Sequence, residues 1–185
     1  MKTRCMYFLI VGLLSISLVE ETSAQDFRLL EQATNLTGLV WGKERAGYSI
    51  SISTAKAKYN AGEPIDVKTL VKNVGTNQIF LGSADAIRDY DLVVMATNEI
   101  IFPTARGKKM IRDSASGSAT GNGLKPGQAE PSYGHYPLTE IYDLRKPGKY
   151  RIYATRKLYD HQSNEWVKVI SNTIEVIVED ARPKK

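Results

Sequence analysis

Two histidines, His135 and His161, are the side chains best placed to exchange protons near neutral pH. They lie 161 − 135 = 26 residues apart, one in Tyr133-Gly134-His135-Tyr136 and one in Asp160-His161-Gln162-Ser163-Asn164. Neither has the close partner that a helical zinc site needs, so both read as structural or solvated. Asp85, Asp89 and Asp91 form an oxygen-rich group of the kind that holds calcium. The glycine and distal glutamate of an EF-hand loop are absent, however, and Arg88 or water would serve to relieve the repulsion. Gly117-Ser118-Ala119-Thr120-Gly121 resembles a nucleophile elbow but puts Ala119 at its centre. It also lacks the Gly-Lys-Ser/Thr ending of a phosphate-binding loop. With no nucleophile–base pair and no ligand set, the expectation is a non-catalytic protein without metal or cofactor.

Charge and aromatic surface offer more. Residues 104–123 show no clear period and are rich in glycine and serine, which predicts a long loop. That stretch carries Arg106, Lys108, Lys109 and Arg112, the nominated interaction surface. Few aromatics are interleaved with these cations, which argues against nucleic acid as the partner. The formal net charge of +5 is modest and compatible with a merely soluble surface. Tyr133, Tyr136, Tyr142, Tyr153, Tyr159 and Trp166 make the C-terminal half aromatic; core filling accounts for most of them, and any exposed ones could stack on sugars or anchor a protein.

The elements that must position these residues begin after a segment with a different purpose. Lys2 and Arg4 precede an apolar run from Met6 to Val19, and Thr22-Ser23-Ala24 supplies small residues for cleavage. This pattern predicts a cleavable signal peptide over 1–24 and an exported protein, periplasmic or secreted. The run is shorter than the roughly 20 residues a bilayer span needs, so no transmembrane segment is expected after cleavage. Cleavage would leave 185 − 24 = 161 residues, without the only cysteine, Cys5. A lead-in is expected over 25–46, a sandwich over 47–180 and a basic tail over 181–185.

From Tyr48 the hydrophobic period becomes two. Tyr48, Ile50 and Ile52 alternate with serines expected on the open face; Ile65, Val67, Thr69 and Val71 repeat the pattern. A hairpin is expected around 97–99. In the last third, Tyr142 and the Pro147-Gly148 turn feed an alternating strand through Tyr150 and Ile152, and Thr173–Glu179 closes the sheet. Seven to nine strands separated by Gly, Pro and Asn turns predict an all-β antiparallel sandwich.

Trp41-Gly42, the 59–65 turn Tyr-Asn-Ala-Gly-Glu-Pro-Ile, Val-Lys-Asn-Val-Gly at 71–75, Leu-Lys-Pro-Gly at 124–127, Tyr-Asp-Leu-x-x-Pro-Gly-x-Tyr at 142–150 and Ser-Asn-Thr-Ile-Glu-Val at 171–176 together resemble exported bacterial immunoglobulin-like domains of unassigned function. In that resemblance Tyr150 takes the tyrosine-corner role, and Ile152 stands where antibody domains have a cysteine. A second resemblance, carried by Tyr90-Asp91-Leu92-Val93-Val94 and the later Pro-Gly turns, is to the bacterial intracellular proteinase-inhibitor family; its site conflicts with export. The resemblances imply a module that binds a protein or glycan at the cell envelope or outside, or alternatively an inhibitor presenting the 104–123 loop.

Overall fold

The computed structural model describes residues 38–97, 99–116 and 119–180. The expected signal peptide, most of the lead-in and the basic tail lie outside them. The elements below belong to one unit that begins at Val40.

Eleven strands are present among the described residues. They are β1 (Tyr48–Thr54), β2 (Lys58–Asn60), β3 (Asp66–Asn73), β4 (Ile79–Ser83), β5 (Asp91–Ala96), β6 (Glu99–Ile101), β7 (Thr120–Leu124), β8 (Ala129–Pro131), β9 (Tyr136–Pro137), β10 (Gly148–Asp160) and β11 (Glu165–Glu179). Three helices intervene: α1 (Ala86–Asp89), α2 (Ala105–Ser114) and α3 (Leu138–Ile141). The protein is therefore mostly β, with helices that the strand pattern did not foretell. Several strands have only two or three residues, too short to register as alternation, which is why the count exceeds seven to nine.

One sheet runs β1-β3-β8, with β9 also on β3; a second runs β2-β11-β10-β5-β6; β4 and β7 form a separate ribbon. All pairings are antiparallel except β2 with β11, a departure from the all-antiparallel expectation. Inward side chains of both larger sheets, among them Ile50, Val67, Val94, Ile152 and Val176, form one buried cluster. Burial of each such side chain contributes roughly 1.5–3 kcal/mol. The Tyr150 hydroxyl donates to the Lys146 carbonyl at 2.6 Å, tying the start of β10 to the turn before it. The Tyr142 hydroxyl donates to the Leu92 carbonyl at 2.7 Å, fastening the turn before β10 to β5.

The serines of β1 correct the expectation of an open face, because Ser49 and Ser51 are buried. Residues 40–45 double back along β1 through a tight turn, with Ala46 and Gly47 both at positive φ. Gly42 N–H donates to the Ile50 carbonyl at 2.8 Å, and the Ser49 and Ser51 hydroxyls donate to the Gly42 and Val40 carbonyls. Farther along the same strand, Asn172 pairs with Ile52 through its amide, accepting at 2.7 Å and donating at 3.0 Å. Asn172 sits in a bulge of β11 opposite Ala154, whose N–H is met by the Ser171 hydroxyl. A side chain of β11 thus meets the edge of β1 at Ile52.

Candidate functional site

Three connections converge at the tip of the β10–β11 hairpin: the 45–48 turn, residues 74–79 and residues 160–164. They enclose an open cleft of about 470 Å³. Local chemistry holds each wall. The Asn73 amide donates to the carbonyls of Asn77 and Leu124, both at 2.8 Å, and accepts from Gly75 N–H at 2.9 Å. Val74 N–H donates to the Gly47 carbonyl at 2.8 Å, joining the first two walls. Gly47, at φ 77, needs the freedom that only glycine has without cost. In the hairpin tip, the Asp160 carboxylate accepts from Gln162 N–H at 2.9 Å and from the Ser163 hydroxyl at 2.7 Å. The Tyr48 hydroxyl crosses the core edge to donate to the Tyr159 carbonyl at 3.0 Å.

The lining is polar and aromatic. Thr76, Asn77, Gln78 and Gln162 offer neutral donors and acceptors; Tyr159 supplies a ring, while Tyr48 is itself buried. Tyr159 meets His161 edge-on with centroids 5.0 Å apart, and Trp166 at 5.5 Å. Trp166 is 69% exposed, so an indole stands in solvent beside the cleft. Among the described residues the charged lining is acidic, Glu44 and Asp160, with no lysine or arginine. The Ser163 hydroxyl and Gln162 N–H hold the Asp160 carboxyl below the ordinary carboxylate range. Burial, and then the Asp160 charge, push the Tyr48 phenol up.

The four nominated cations lie elsewhere and in a different conformation from that expected. Residues 105–114 are helix α2, not loop; Thr104 caps it by accepting from Gly107 N–H at 3.0 Å. Arg106, Lys108, Lys109 and Arg112 are all exposed on it. Arg106 pairs with Glu140 at 2.6 Å and Lys109 with Asp113 at 2.5 Å, while Lys108 and Arg112 stand four residues apart on one flank. Gly107 is one of the glycines behind the loop expectation for 104–123. A Cβ there would lie 2.2 Å from the Ile141 carbonyl oxygen, so the glycine is what lets α2 close on α3. The loop on which the inhibitor alternative rests is therefore a capped helix and a strand, β7, with Gly117 and Ser118 outside the described residues. Beside α2, a second cleft of about 450 Å³ has Arg106, Glu140, Asp143 and Arg145 on its walls. Its charges neutralise one another: Arg145 holds Asp143 in a two-pronged pair at 2.8 and 2.7 Å, lowering its pKa to about 2.

The aspartates suggested for calcium are separated by role. Asp85 caps α1, accepting from Ile87 and Arg88 N–H at 2.9 Å. Asp89 is buried against Arg156 at 3.1 Å. Arg156 also donates to the Gly82 carbonyl at 2.5 Å and to the Tyr90 hydroxyl at 3.2 Å, tying β10 to β4 and α1. Sequence reasoning passed over Arg156, although it falls in phase with the inward Tyr150, Ile152, Ala154 and Leu158 of β10. Of the structural residues nominated, Tyr142, Tyr150 and Ile152 are buried, Pro147 is exposed in the turn before β10, and Gly148 is the exposed first residue of that strand. His135 and His161 are both exposed.

No family model matches the chain, and no curated protein matches it. Among solved structures, a β-glucosidase, EmGH1 from Erythrobacter marinus, is similar with a TM-score of 0.35 and 10% identity. The match covers 71% of this chain and 15% of that one, a likeness too slight to carry an argument. The hairpin-end cleft escaped sequence reasoning because its lining comes from three segments more than 25 residues apart. The turn signals at each segment were legible; their meeting was not.

Proposed function

We propose that this chain is a non-catalytic, exported binding module of immunoglobulin-like architecture that holds a glycan in the hairpin-end cleft. The cleft carries the reading: four neutral hydrogen-bonding side chains lie beside an aromatic group, Tyr159–Trp166, that is partly open to solvent. Sugars present hydroxyls at their edges and C–H faces above and below, so they suit amides at the walls and a ring at the rim. The Tyr150 hydroxyl bond to Lys146 and the shared core of the two larger sheets support the architecture. The basic start, apolar run and small residues of 1–24 support export. Binding at the cell envelope or outside follows from that destination, with no nucleic acid and no cofactor required.

Trp166 and Trp41 are the only tryptophans, which makes the test direct. The full chain and its Trp41→Phe variant are titrated with neutral oligomers of glucose and of N-acetylglucosamine, following Trp166 emission and backbone amide shifts. Saturable changes confined to residues 44–48, 74–79 and 159–166 are expected, and Trp166→Ala should weaken binding about tenfold, given the 1.4 kcal/mol that corresponds to a decade and the worth of one ring contact. No cleft shift with any oligomer overturns the glycan reading.

A further inference from the structure

We infer that the outer face of the β10–β11 hairpin binds an acid group of the glycan, a carboxylate-bearing sugar seated on Lys157 and Lys168. The inference deepens the reading above and rests on it. Outward side chains of the hairpin fall in rows, because cross-strand partners share a face and alternate residues return to it. Tyr159 lies opposite Trp166, Lys157 opposite Lys168, and Thr155 opposite Ile170. Consecutive rows are about 7 Å apart, two residues of strand rise. Tyr159 also lines the cleft, so the face begins where the cleft ends.

The lysine row sets two like charges directly across the ladder, an arrangement that costs stability unless an anion joins them. Both lysines are exposed, and neither takes part in the ion pairs among the described residues. Arg45 donates to the Lys168 carbonyl at 3.2 Å, which brings a third cation to the edge of the row. In the next row Thr155 is only 2% exposed, and its hydroxyl has no partner among the described residues. Its cross-strand neighbours, Ile170 and Asp91, are both exposed, and Asp91 ends the basic zone. A buried hydroxyl without a partner is costly, and a carboxylate held by Lys157 and Lys168 supplies the acceptor it lacks. On the other side of the lysines, the exposed Trp166 offers a ring on which the sugar frame can stack. Glu44 and Asp160 keep the cleft itself for a neutral unit. The acid is read past the rings, by the lysine row.

The experiment titrates the full chain with oligomers of galacturonic acid and with the same oligomers fully methyl-esterified, which keep the sugar frame and lose the charge. At about pH 6 a carboxyl of ordinary acidity is ionised. The acid should bind about tenfold or more tightly than the ester, the scale of one charge-assisted contact. That preference should shrink in high salt. Lys157→Gln and Lys168→Gln should each bring the preference back toward unity while leaving binding of the ester unchanged. Neither should lower the melting temperature, since each removes a like-charge pair. Thr155→Val keeps the branched shape and loses the hydroxyl. It should reduce the preference while raising the melting temperature, a combination that a purely structural threonine would not give. Equal affinity for acid and ester overturns the inference and leaves the glycan reading standing. Binding of neither overturns it as well, and the glycan reading then rests on the neutral oligomers above. Tighter binding of polyglutamate than of the galacturonic acid oligomer overturns the sugar in favour of an acidic protein.

Discussion

Arg156 and Asp89 illustrate what one misplaced charge does inside a β protein. Both side chains are under 10% exposed, and each has further backbone partners. Burial raises the Asp89 carboxyl above its ordinary pKa, with Arg156 opposing. A raised folded-state pKa means that the native state binds the proton more readily than the unfolded chain. The contribution of this group is therefore fully present below its unfolded value and lost as pH rises through the folded value. Removing one partner strands the other: Arg156→Met should cost about 3–5 kcal/mol in denaturant unfolding, and the double variant Arg156→Met with Asp89→Leu should cost clearly less. Equal losses would show that the pair contributes through attraction rather than mutual compensation.

Asp143 behaves in the opposite sense. Its pKa of about 2 comes from Arg145, and both groups are exposed, so its effect on stability is small. What stability it does contribute is present above the ordinary carboxylate pKa and fades as pH falls toward 2. Carboxyl titration by NMR should place Asp143 near 2 and return it to the ordinary range in Arg145→Gln. Ala46 is a further residue-scale case, since it holds φ 52 without being glycine. Ala46→Asn should stabilise by about 0.5–1 kcal/mol in thermal unfolding, because asparagine tolerates the left-handed region better. A loss instead would mean that the asparagine side chain meets a wall of the cleft.

Helix α2 shows how an element can contradict its own propensities. Glycine in mid-helix costs about 1 kcal/mol relative to alanine, so Gly107→Ala improves the isolated helix. In the protein the added Cβ meets backbone at 2.2 Å from the Ile141 oxygen, and backbone cannot rotate away as a side chain can. The net effect should be a loss of about 1–3 kcal/mol, read by thermal melting, with faster trypsin cleavage after Arg106, Lys108 and Lys109 as α2 loosens. An unchanged or raised melting point would show that α2 slides freely on α3. The same logic explains why the helix was illegible: Gly107 reads as a breaker in sequence, and the carbonyl that requires it belongs to a residue 34 positions later.

At the scale of the whole molecule, stability rests on packing without covalent ties. The single cysteine, Cys5, leaves no internal disulfide to form, so the guanidinium midpoint of the chain should not shift on adding reductant. A downward shift would reveal a disulfide between copies.

The alternation of apolar residues determined by itself that this protein is mostly β, and which faces of β1, β3 and β10 point inward, because a strand has period two wherever it lies. Turn chemistry was equally local: the Asp160–Asn164 hairpin is written in a few adjacent residues, and the Tyr150 hydroxyl bonds a carbonyl only four positions back. Only the tertiary structure decided that Ser49 and Ser51 are buried, since their cover is the backbone of residues 40–45. It alone paired Arg156 with Asp89, turned 105–114 into a helix and brought Glu44, Asn77 and Asp160 around one cleft. Each of these depends on contacts between distant segments, and a periodicity carries no information about which distant segment will arrive.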